Sequence, residues 1–109
     1  GDYERADSKG YSKAVHIRPD FKRGWRKLTK VYRAQDNREL LIMALSRILE
    51  IDSEDEDALW ERAEAHHDSK KLGDAMGDIH KLLALNPGNQ KVRKFKAQIL
   101  EKLDTKEWD

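Results

Sequence analysis

Six basic side chains and no acidic one fall within residues 21–33 of the sequence. They are Lys22, Arg23, Arg26, Lys27, Lys30 and Arg33. Ammonium and guanidinium groups bind carboxylates and phosphates, and a guanidinium can do so with two parallel hydrogen bonds. The whole chain balances 22 basic residues against 21 acidic ones, a formal net charge of +1. The segment is therefore a local concentration of positive charge, and its chemistry favours recognition of an anion.

The remaining residues that could do chemistry form no convincing site. His66, His67 and Asp68 are consecutive, but neighbouring residues on a helix point about 100° apart and cannot share one metal ion. The chain has no cysteine, which excludes a thiolate nucleophile, a thiolate metal site and a disulfide framework. There is no phosphate-binding glycine loop and no serine nucleophile motif. We expect no catalytic residue, no metal and no cofactor.

Length and composition indicate one small, highly charged domain. The 109 residues are 39% charged and 38% hydrophobic. Apolar runs are only a few residues long, too short for a membrane span or the core of a signal peptide. The absence of cysteine fits a reducing compartment. From these two features we expect an intracellular protein, cytoplasmic or nuclear.

Similar residues recur at an offset of 34 positions along the chain, an interval that we call the repeat period. The matched apolar pairs include Trp25 with Leu59, Leu41 with Ala75, Leu45 with Ile79, Ile48 with Leu82 and Ile51 with Leu85. Pro19, Ser53 and Pro87 are spaced by the same interval. So many coincidences are unexpected in a chain this polar. A period of this length is typical of a solenoid built from helix–turn–helix units.

Helical periodicity divides the chain into short helices joined by polar turns. Apolar residues at helical spacing predict helices over residues 3–17, 22–33, 39–51, 58–67, 72–85 and 92–103. The link 52–57 is acidic and supplies N-cap residues, and residues 86–90 contain Pro87 and Gly88, which end a helix. The sequence therefore predicts an all-α, right-handed stack of antiparallel helix pairs. Residues 105–109 are expected to be an unanchored tail.

These residues resemble the tetratricopeptide repeat (TPR) family at its characteristic positions. One unit supplies Trp25, Leu28, Thr29, Tyr32, Leu41, Leu45, Ile48 and Ser53, and the next supplies Leu59, Arg62, Ala63, His66, Ala75, Ile79, Leu82 and Pro87. Arg62 departs from the leucine that the family favours, and we expect it to bury its stem and keep its guanidinium at the edge. The resemblance implies a TPR-like solenoid with a half repeat at 1–19, full repeats at 20–53 and 54–87, and a capping helix with a tail at 88–109. Because the chain begins inside a repeat, we expect it to be a piece of a longer protein.

The resemblance also implies where a ligand binds, because the first helix of each pair lines a concave groove in this family. In the first full repeat the groove positions hold Arg23, Arg26, Lys27, Lys30 and Arg33; in the next they hold Asp57, Trp60, Glu61, Glu64 and His67. A helical wheel agrees for residues 22–33, with the basic side chains between about 0° and 140° and Trp25, Leu28, Val31 and Tyr32 between about 180° and 300°. The sequence predicts a groove with a basic wall followed by an acidic one. Trp60 is either a binding residue or half-buried packing.

The implied function is a non-catalytic protein-interaction module whose groove binds an acidic peptide or a C-terminal tail. Co-chaperone domains of the family grip the terminal carboxylate of heat-shock chaperone tails, and two positions of that clamp hold Arg23 and Lys27 here, with lysine and arginine exchanged. Three alternatives remain. The basic arc could be a solvated face in which Arg23 or Lys30 pairs with Asp57, Glu61 or Glu64 across adjacent helices. The chain could be an architectural segment of a larger assembly. Nucleic-acid binding is weaker still, because Trp25 and Tyr32 point away from the charges.

Overall fold

The computed structural model describes residues 21–108, with side chains as far as Leu103. This part of the chain contains five helices and no strand: α1 (Lys22–Ala34), α2 (Arg38–Ile51), α3 (Glu56–Asp68), α4 (Leu72–Leu85) and α5 (Gln90–Trp108). The predicted all-α architecture is confirmed. The predicted helix over 3–17 and the half repeat at 1–19 lie outside the described residues. No helix among those described has the length and apolar character needed to cross a membrane.

The helix boundaries repeat with the period found in the sequence. Helices α1 and α3 begin one repeat period apart and end one repeat period apart, and so do α2 and α4. Helix α5 begins one period after α3 and continues to Trp108, so residues 105–108 of the expected tail are helical. The other predicted boundaries that fall on described residues are each reproduced within two residues. The repeat period is therefore a property of the backbone as well as of the sequence.

The turns that end α1 and α3 have the same backbone geometry. Asp36 and Lys70 occupy the left-handed region, with φ of 57° and 63°. The next residue donates its N–H back to a carbonyl five positions earlier, Asn37 to Tyr32 at 2.9 Å and Lys71 to His66 at 2.8 Å. This is the Schellman arrangement, whose left-handed position usually holds glycine. Each turn reverses the chain so that the following helix can pack against the one before it.

We expect Lys70→Gly to raise the free energy of unfolding by about 0.5–1 kcal/mol, because glycine adopts this backbone conformation without a Cβ penalty. The measurement is urea denaturation followed by helical circular dichroism. Lys81→Gly is the matched control, since Lys81 is exposed within α4 and the same substitution there removes helix propensity. A loss of stability of similar size in both variants would contradict the role of the left-handed turn.

The chain divides into two compact units, residues 1–58 and 59–109. Within the first unit, α1 packs on α2 and the buried side chains include Leu28, Leu45 and Ile48, each at most 1% exposed. Thr29 is buried among them and donates its hydroxyl to the Arg26 carbonyl at 2.6 Å, which satisfies its polar atom. The apolar face of α1 is thus fixed inward, and the opposite face is left to its basic residues.

The second unit has an apolar core interrupted by one ion pair. Helix α4 packs against α5, and Ile79, Val92 and Ile99 are each at most 1% exposed. Arg62 on α3 grips Asp78 on α4 with two hydrogen bonds, Nε to Oδ2 at 2.8 Å and Nη2 to Oδ1 at 2.6 Å. Their side chains are 25% and 6% exposed. The guanidinium of Arg62 is therefore bound to a buried carboxylate, a partner that the sequence did not predict.

The equivalent positions of the preceding repeat are apolar. Leu28 and Ala44 lie one repeat period before Arg62 and Asp78, and both are buried. A hydrogen bond from Arg62 to Asp78 and the negative charge of Asp78 raise the pKa of Arg62, against the effect of burial. The same helix pair is thus closed by apolar contacts in one repeat and by a bidentate ion pair in the next.

Candidate functional site

Five of the six basic residues of α1 fall into two groups in the structure. Along one edge, Lys22 Nζ lies 3.0 Å from Asp52 Oδ2 and 2.9 Å from Asp55 Oδ2. Arg26 Nη2 lies 2.9 Å from the same Asp55 oxygen. Asp55 is also the N-cap of α3, where its Oδ1 accepts a hydrogen bond from the Ala58 N–H at 3.0 Å. Two of the six cations are therefore engaged by the link between α2 and α3.

These contacts shift the pKa values of the three groups that share them. Hydrogen bonds from its ammonium to Asp55 and Asp52 raise the pKa of Lys22. A hydrogen bond from Lys22 lowers the pKa of Asp52. Burial by itself raises the pKa of Asp55, but the hydrogen bonds from Lys22 and the Ala58 N–H, with the charge of Arg26, bring the pKa below its ordinary value. The charged forms of Asp52 and Asp55 are therefore stabilised by cations on one edge of α1.

The second group of cations forms a row next to that edge, at about 80° to 140° on the helical wheel against about 0° and 40° for Lys22 and Arg26. Arg23, Lys27 and Lys30 are exposed, and no ion pair or hydrogen bond engages their side chains in the described part of the chain. At a rise of 1.5 Å per residue they span roughly 10 Å along the helix, at steps of about 6 and 4.5 Å. We call these three residues the basic stripe. Arg26, which the sequence placed with them, is the one bound to Asp55.

Arg33 stands apart from the basic stripe at the end of the helix. It is exposed in the last turn of α1, where a positive charge interacts favourably with the helix dipole. On the other face of α1, Tyr32 is 7% exposed, as the wheel predicted, and Trp25 is half-buried. A buried Tyr32 is unavailable for stacking on a nucleic-acid base.

Two predicted site residues of α3, Trp60 and His67, contact Phe95 on the last helix. The Trp60 and Phe95 rings have centroids 5.1 Å apart, and the His67 ring meets Phe95 edge-on at 5.1 Å. Lys91 Nζ lies 4.3 Å from the centre of the Trp60 ring, and Lys102 Nζ lies 2.7 Å from His67 Nε2. The side chains of Trp60 and His67 therefore pack against α5.

Two of the three predicted acids of α3, Glu61 and Glu64, lie beside this aromatic cluster in sequence, and the third, Asp57, is exposed in the first turn of the helix. Glu64 is exposed and Glu61 is half-buried. The role of Trp60, Glu61, Glu64 and His67 in binding remains a prediction, as does the expectation that they share a groove with the basic residues of α1. Phe95 was not identified from the sequence, although its spacing from the buried Val92 and Ile99 is a helical signal that could have found it.

His66 is a polar residue at the position of Tyr32 in the preceding repeat. Its Nδ1 atom is buried, and no described residue forms a hydrogen bond with it. Burial lowers the pKa of His66 from its ordinary value of 6.5; Asp78 and Asp74 oppose this effect, and Arg62 and Lys71 add to it. Protonation of His66 is therefore less favourable in the folded chain than in the unfolded chain.

Because the unfolded chain binds this proton more tightly, we expect the free energy of unfolding to fall as the pH drops from 7.5 through 6.5 to 5.5. Replacing His66 by tyrosine, the residue of the preceding repeat, should make the pH dependence shallower over this interval. Urea denaturation at the two limits measures it. His80→Gln is the matched control, since it removes an exposed histidine on α4 instead of the buried one. Equal slopes for His66→Tyr and wild type would contradict the assignment.

No group of three or more histidine, aspartate or glutamate side chains in the described residues has the arrangement needed to hold a metal ion. His67 Nδ1 lies 3.6 Å from its neighbour Asp68, a contact within one helix.

Comparison with known proteins gives a clear result for the fold. No protein-family model and no curated protein matches the sequence. The first TPR of Spaghetti (RPAP3) bound to an HSP90 peptide, SRMEEVD, has a TM-score of 0.76 with 19% identity, over 95% of this chain and 82% of that one. The chain has the tetratricopeptide repeat fold. MamA has a TM-score of 0.79 with 18% identity, over 95% of this chain and 60% of MamA.

A third tetratricopeptide match is the Yersinia enterocolitica type III secretion chaperone SycD, in complex with a peptide of the translocator YopD. It has a TM-score of 0.66 and 17% identity, over 96% of this chain and 79% of that one. The resemblance stated from Trp25, Tyr32, Pro87 and their equivalents is confirmed at the level of the fold. With the repeat boundaries predicted from the sequence, α1 and α3 are the first helices of two repeats, and the basic stripe lies on a first helix.

Proposed function

We propose that this tetratricopeptide chain is a non-catalytic protein-interaction module, and that the basic stripe binds an extended acidic segment of a partner protein. The observation that carries the proposal is the row formed by Arg23, Lys27 and Lys30, three exposed cations on one side of α1 with no partner in the described structure. RPAP3 and SycD, which share the fold, are each recorded with a bound peptide. The proposal extends that mode of binding to this chain.

Electrostatics supports an anionic partner rather than a solvated face. Like charges at i,i+4 on a helix destabilise it by a few tenths of a kcal/mol per pair, and Lys27 stands four residues from Arg23. Asp52 and Asp55 neutralise Lys22 and Arg26 but leave the stripe uncompensated. An acidic ligand removes this repulsion. Folding alone gains nothing from the arrangement.

The spacing of the stripe fits an extended peptide. Side chains on one face of an extended chain recur about every 6.6 Å. This is close to the step of about 6 Å between Arg23 and Lys27 along the helix. We therefore propose a segment with acidic residues at alternate positions. A C-terminal carboxylate is the finer form of the proposal, since Arg23 and Lys27 occupy positions at which clamp-type members of the family carry cations.

The test is fluorescence anisotropy with three labelled peptides: an acidic peptide with a free C-terminal carboxylate, the same peptide amidated, and a version with glutamine in place of each acid. We expect the acidic peptides to bind and the glutamine version not to. Affinity should fall as salt rises from 50 to 300 mM, since exposed charges are screened. Weaker binding of the amidated peptide supports carboxylate recognition. Equal affinity for the acidic and glutamine peptides contradicts the proposal, and tighter, steeply salt-dependent binding of a homopolymer RNA favours nucleic acid.

A further inference from the structure

The link that follows α2 already behaves as an internal ligand of α1. We call residues 52–55 the acidic turn. Its two aspartates bring carboxylate oxygens to 3.0 and 2.9 Å from the Lys22 ammonium, and Asp55 also reaches Arg26 at 2.9 Å. All of these groups belong to the first unit. A change of charge in the acidic turn therefore acts directly on the helix that carries the basic stripe.

Ser53 lies between the two bound aspartates. It is exposed, and within the described residues its hydroxyl has no hydrogen-bond partner. Pro19 and Pro87 stand one repeat period before and after it, so the chain carries a hydroxyl where its other repeats carry a proline. The four residues that follow Ser53 are all acidic: Glu54, Asp55, Glu56 and Asp57. An accessible serine followed by four acids has the charge pattern that a protein kinase with a basic substrate groove selects.

We propose that Ser53 is a phosphorylation site for an acid-directed protein kinase, and that its phosphate weakens binding of an acidic partner to the basic stripe. In the transfer, the Ser53 Oγ forms a bond to the γ-phosphorus of ATP as the bond from that phosphorus to the bridging oxygen breaks. The hydroxyl proton passes to a base of the kinase, and ADP leaves. The effect on binding rests on the proposed function; the modification itself does not.

The phosphate is expected to weaken binding because it and the acidic partner are attracted by the same group of positive charges on α1. A phosphoserine carries about −1.5 to −2 charge at neutral pH and accepts strong hydrogen bonds from lysine and arginine. Lys22 and Arg26, which already hold the acidic turn, are adjacent in sequence to Arg23 and Lys27 of the stripe. Salt screens this interaction: the Debye length is about 8 Å at physiological salt and about 10 Å at 0.1 M, so the phosphate acts most strongly on the stripe at low salt. We expect affinity for the acidic peptide to fall about tenfold at low salt.

The first experiment treats the 109-residue chain with ATP and an acid-directed kinase and locates the phosphate by mass spectrometry. Ser69 is the internal control, because it also lies in a turn after a helix but is followed by Lys70 and Lys71. We expect phosphate on Ser53 and none on Ser69. A folded chain that is not modified at Ser53, or is modified equally at both serines, overturns the assignment of the site.

The second experiment titrates the chain phosphorylated at Ser53 with the labelled acidic peptide, beside the unmodified chain and Ser53→Ala. We expect about tenfold weaker binding for the phosphorylated chain only. Unchanged affinity in a chain whose unmodified form binds the peptide overturns the regulatory effect. If the unmodified chain does not bind the peptide, both the proposed function and the regulatory effect are wrong. The phosphorylation site is tested independently, by mass spectrometry and by phosphorus NMR.

The phosphorus resonance tests the contact without any peptide. Cations beside a phosphate favour its dianion, so the second pKa of the Ser53 phosphate should be lower in the wild-type background than in Lys22→Gln. Lys81→Gln is the matched control, because it removes one exposed lysine in the other unit. A phosphate that titrates identically in all three backgrounds overturns the contact with α1.

Discussion

Replacing Asp78 by alanine is expected to lower the free energy of unfolding by roughly 3 kcal/mol, because it leaves the half-buried Arg62 side chain without its carboxylate. Asp78 is 6% exposed and receives two hydrogen bonds from Arg62, at 2.8 and 2.6 Å. The double variant Arg62→Leu with Asp78→Ala should behave differently. It recreates the Leu28 and Ala44 pair of the preceding repeat, so no charge remains to be desolvated.

We expect the double variant to lie within about 1 kcal/mol of the wild type or to be more stable, since a well-packed apolar replacement of a buried ion pair is often neutral or stabilising. Urea denaturation of the three proteins gives the comparison. The exposed pair of Arg47 and Glu50, 2.9 Å apart on α2, supplies the control. Glu50→Ala should cost under about 1 kcal/mol because the pair faces solvent. A double variant as unstable as Asp78→Ala alone would contradict this expectation, because the apolar pair of the preceding repeat would then fail to replace the ion pair.

Reversing the charge of the basic stripe is expected to have the largest effect on binding. The variant with glutamate at positions 23, 27 and 30 should bind the labelled acidic peptide at least about 100-fold more weakly at 50 mM salt, which corresponds to about 2.7 kcal/mol. Each reversal replaces an attraction by a repulsion. All three positions are exposed, so the fold should be retained. Anisotropy gives the affinity, and helical circular dichroism reports the fold.

A variant of equal net charge separates a local effect from a general one. Lys81, Arg93 and Lys94 are exposed residues of the second unit, and their replacement by glutamate changes the formal net charge by the same amount. Loss of affinity confined to the stripe variant supports the proposed site. Equal losses in both variants would mean that net charge, and no particular surface, attracts the peptide. An intermediate result for the pair Arg23→Glu with Lys27→Glu is expected if the three cations act together.

The fold could be predicted from the sequence because similar residues recur at a fixed interval along the chain. Buried positions such as Leu45 and Ile79, or Ile48 and Leu82, recur at the repeat period, and the local periodicity between them is helical. The wheel also separated Tyr32 from the basic residues of α1. Helix periodicity is a local property, so a single sequence carries it. The extension of α5 to Trp108 was missed because residues 105–109 contain no periodic apolar pattern.

The partners of individual side chains were decided by tertiary structure. The sequence grouped Arg26 with Arg23 and Lys27, yet Asp55, which lies beyond the end of the next helix, binds it. It did not predict that Asp78 binds the Arg62 guanidinium in the second unit. An alignment of the two repeats contained a signal for that pair, since Leu28 and Ala44 are replaced by a cation and an anion in the next repeat. The same alignment gave no signal that Phe95 contacts Trp60 and His67.

By itself, then, the amino-acid order determined the helices, their repeat period and the side of each helix that is buried. These follow from interactions between residues three or four apart and from the burial of apolar surface. The three-dimensional fold decided which cations of α1 are neutralised and which stay exposed. That choice depends on close contacts, 2.9 to 3.0 Å, between residues on α1 and a link that follows the next helix, and spacing along a chain does not specify such contacts.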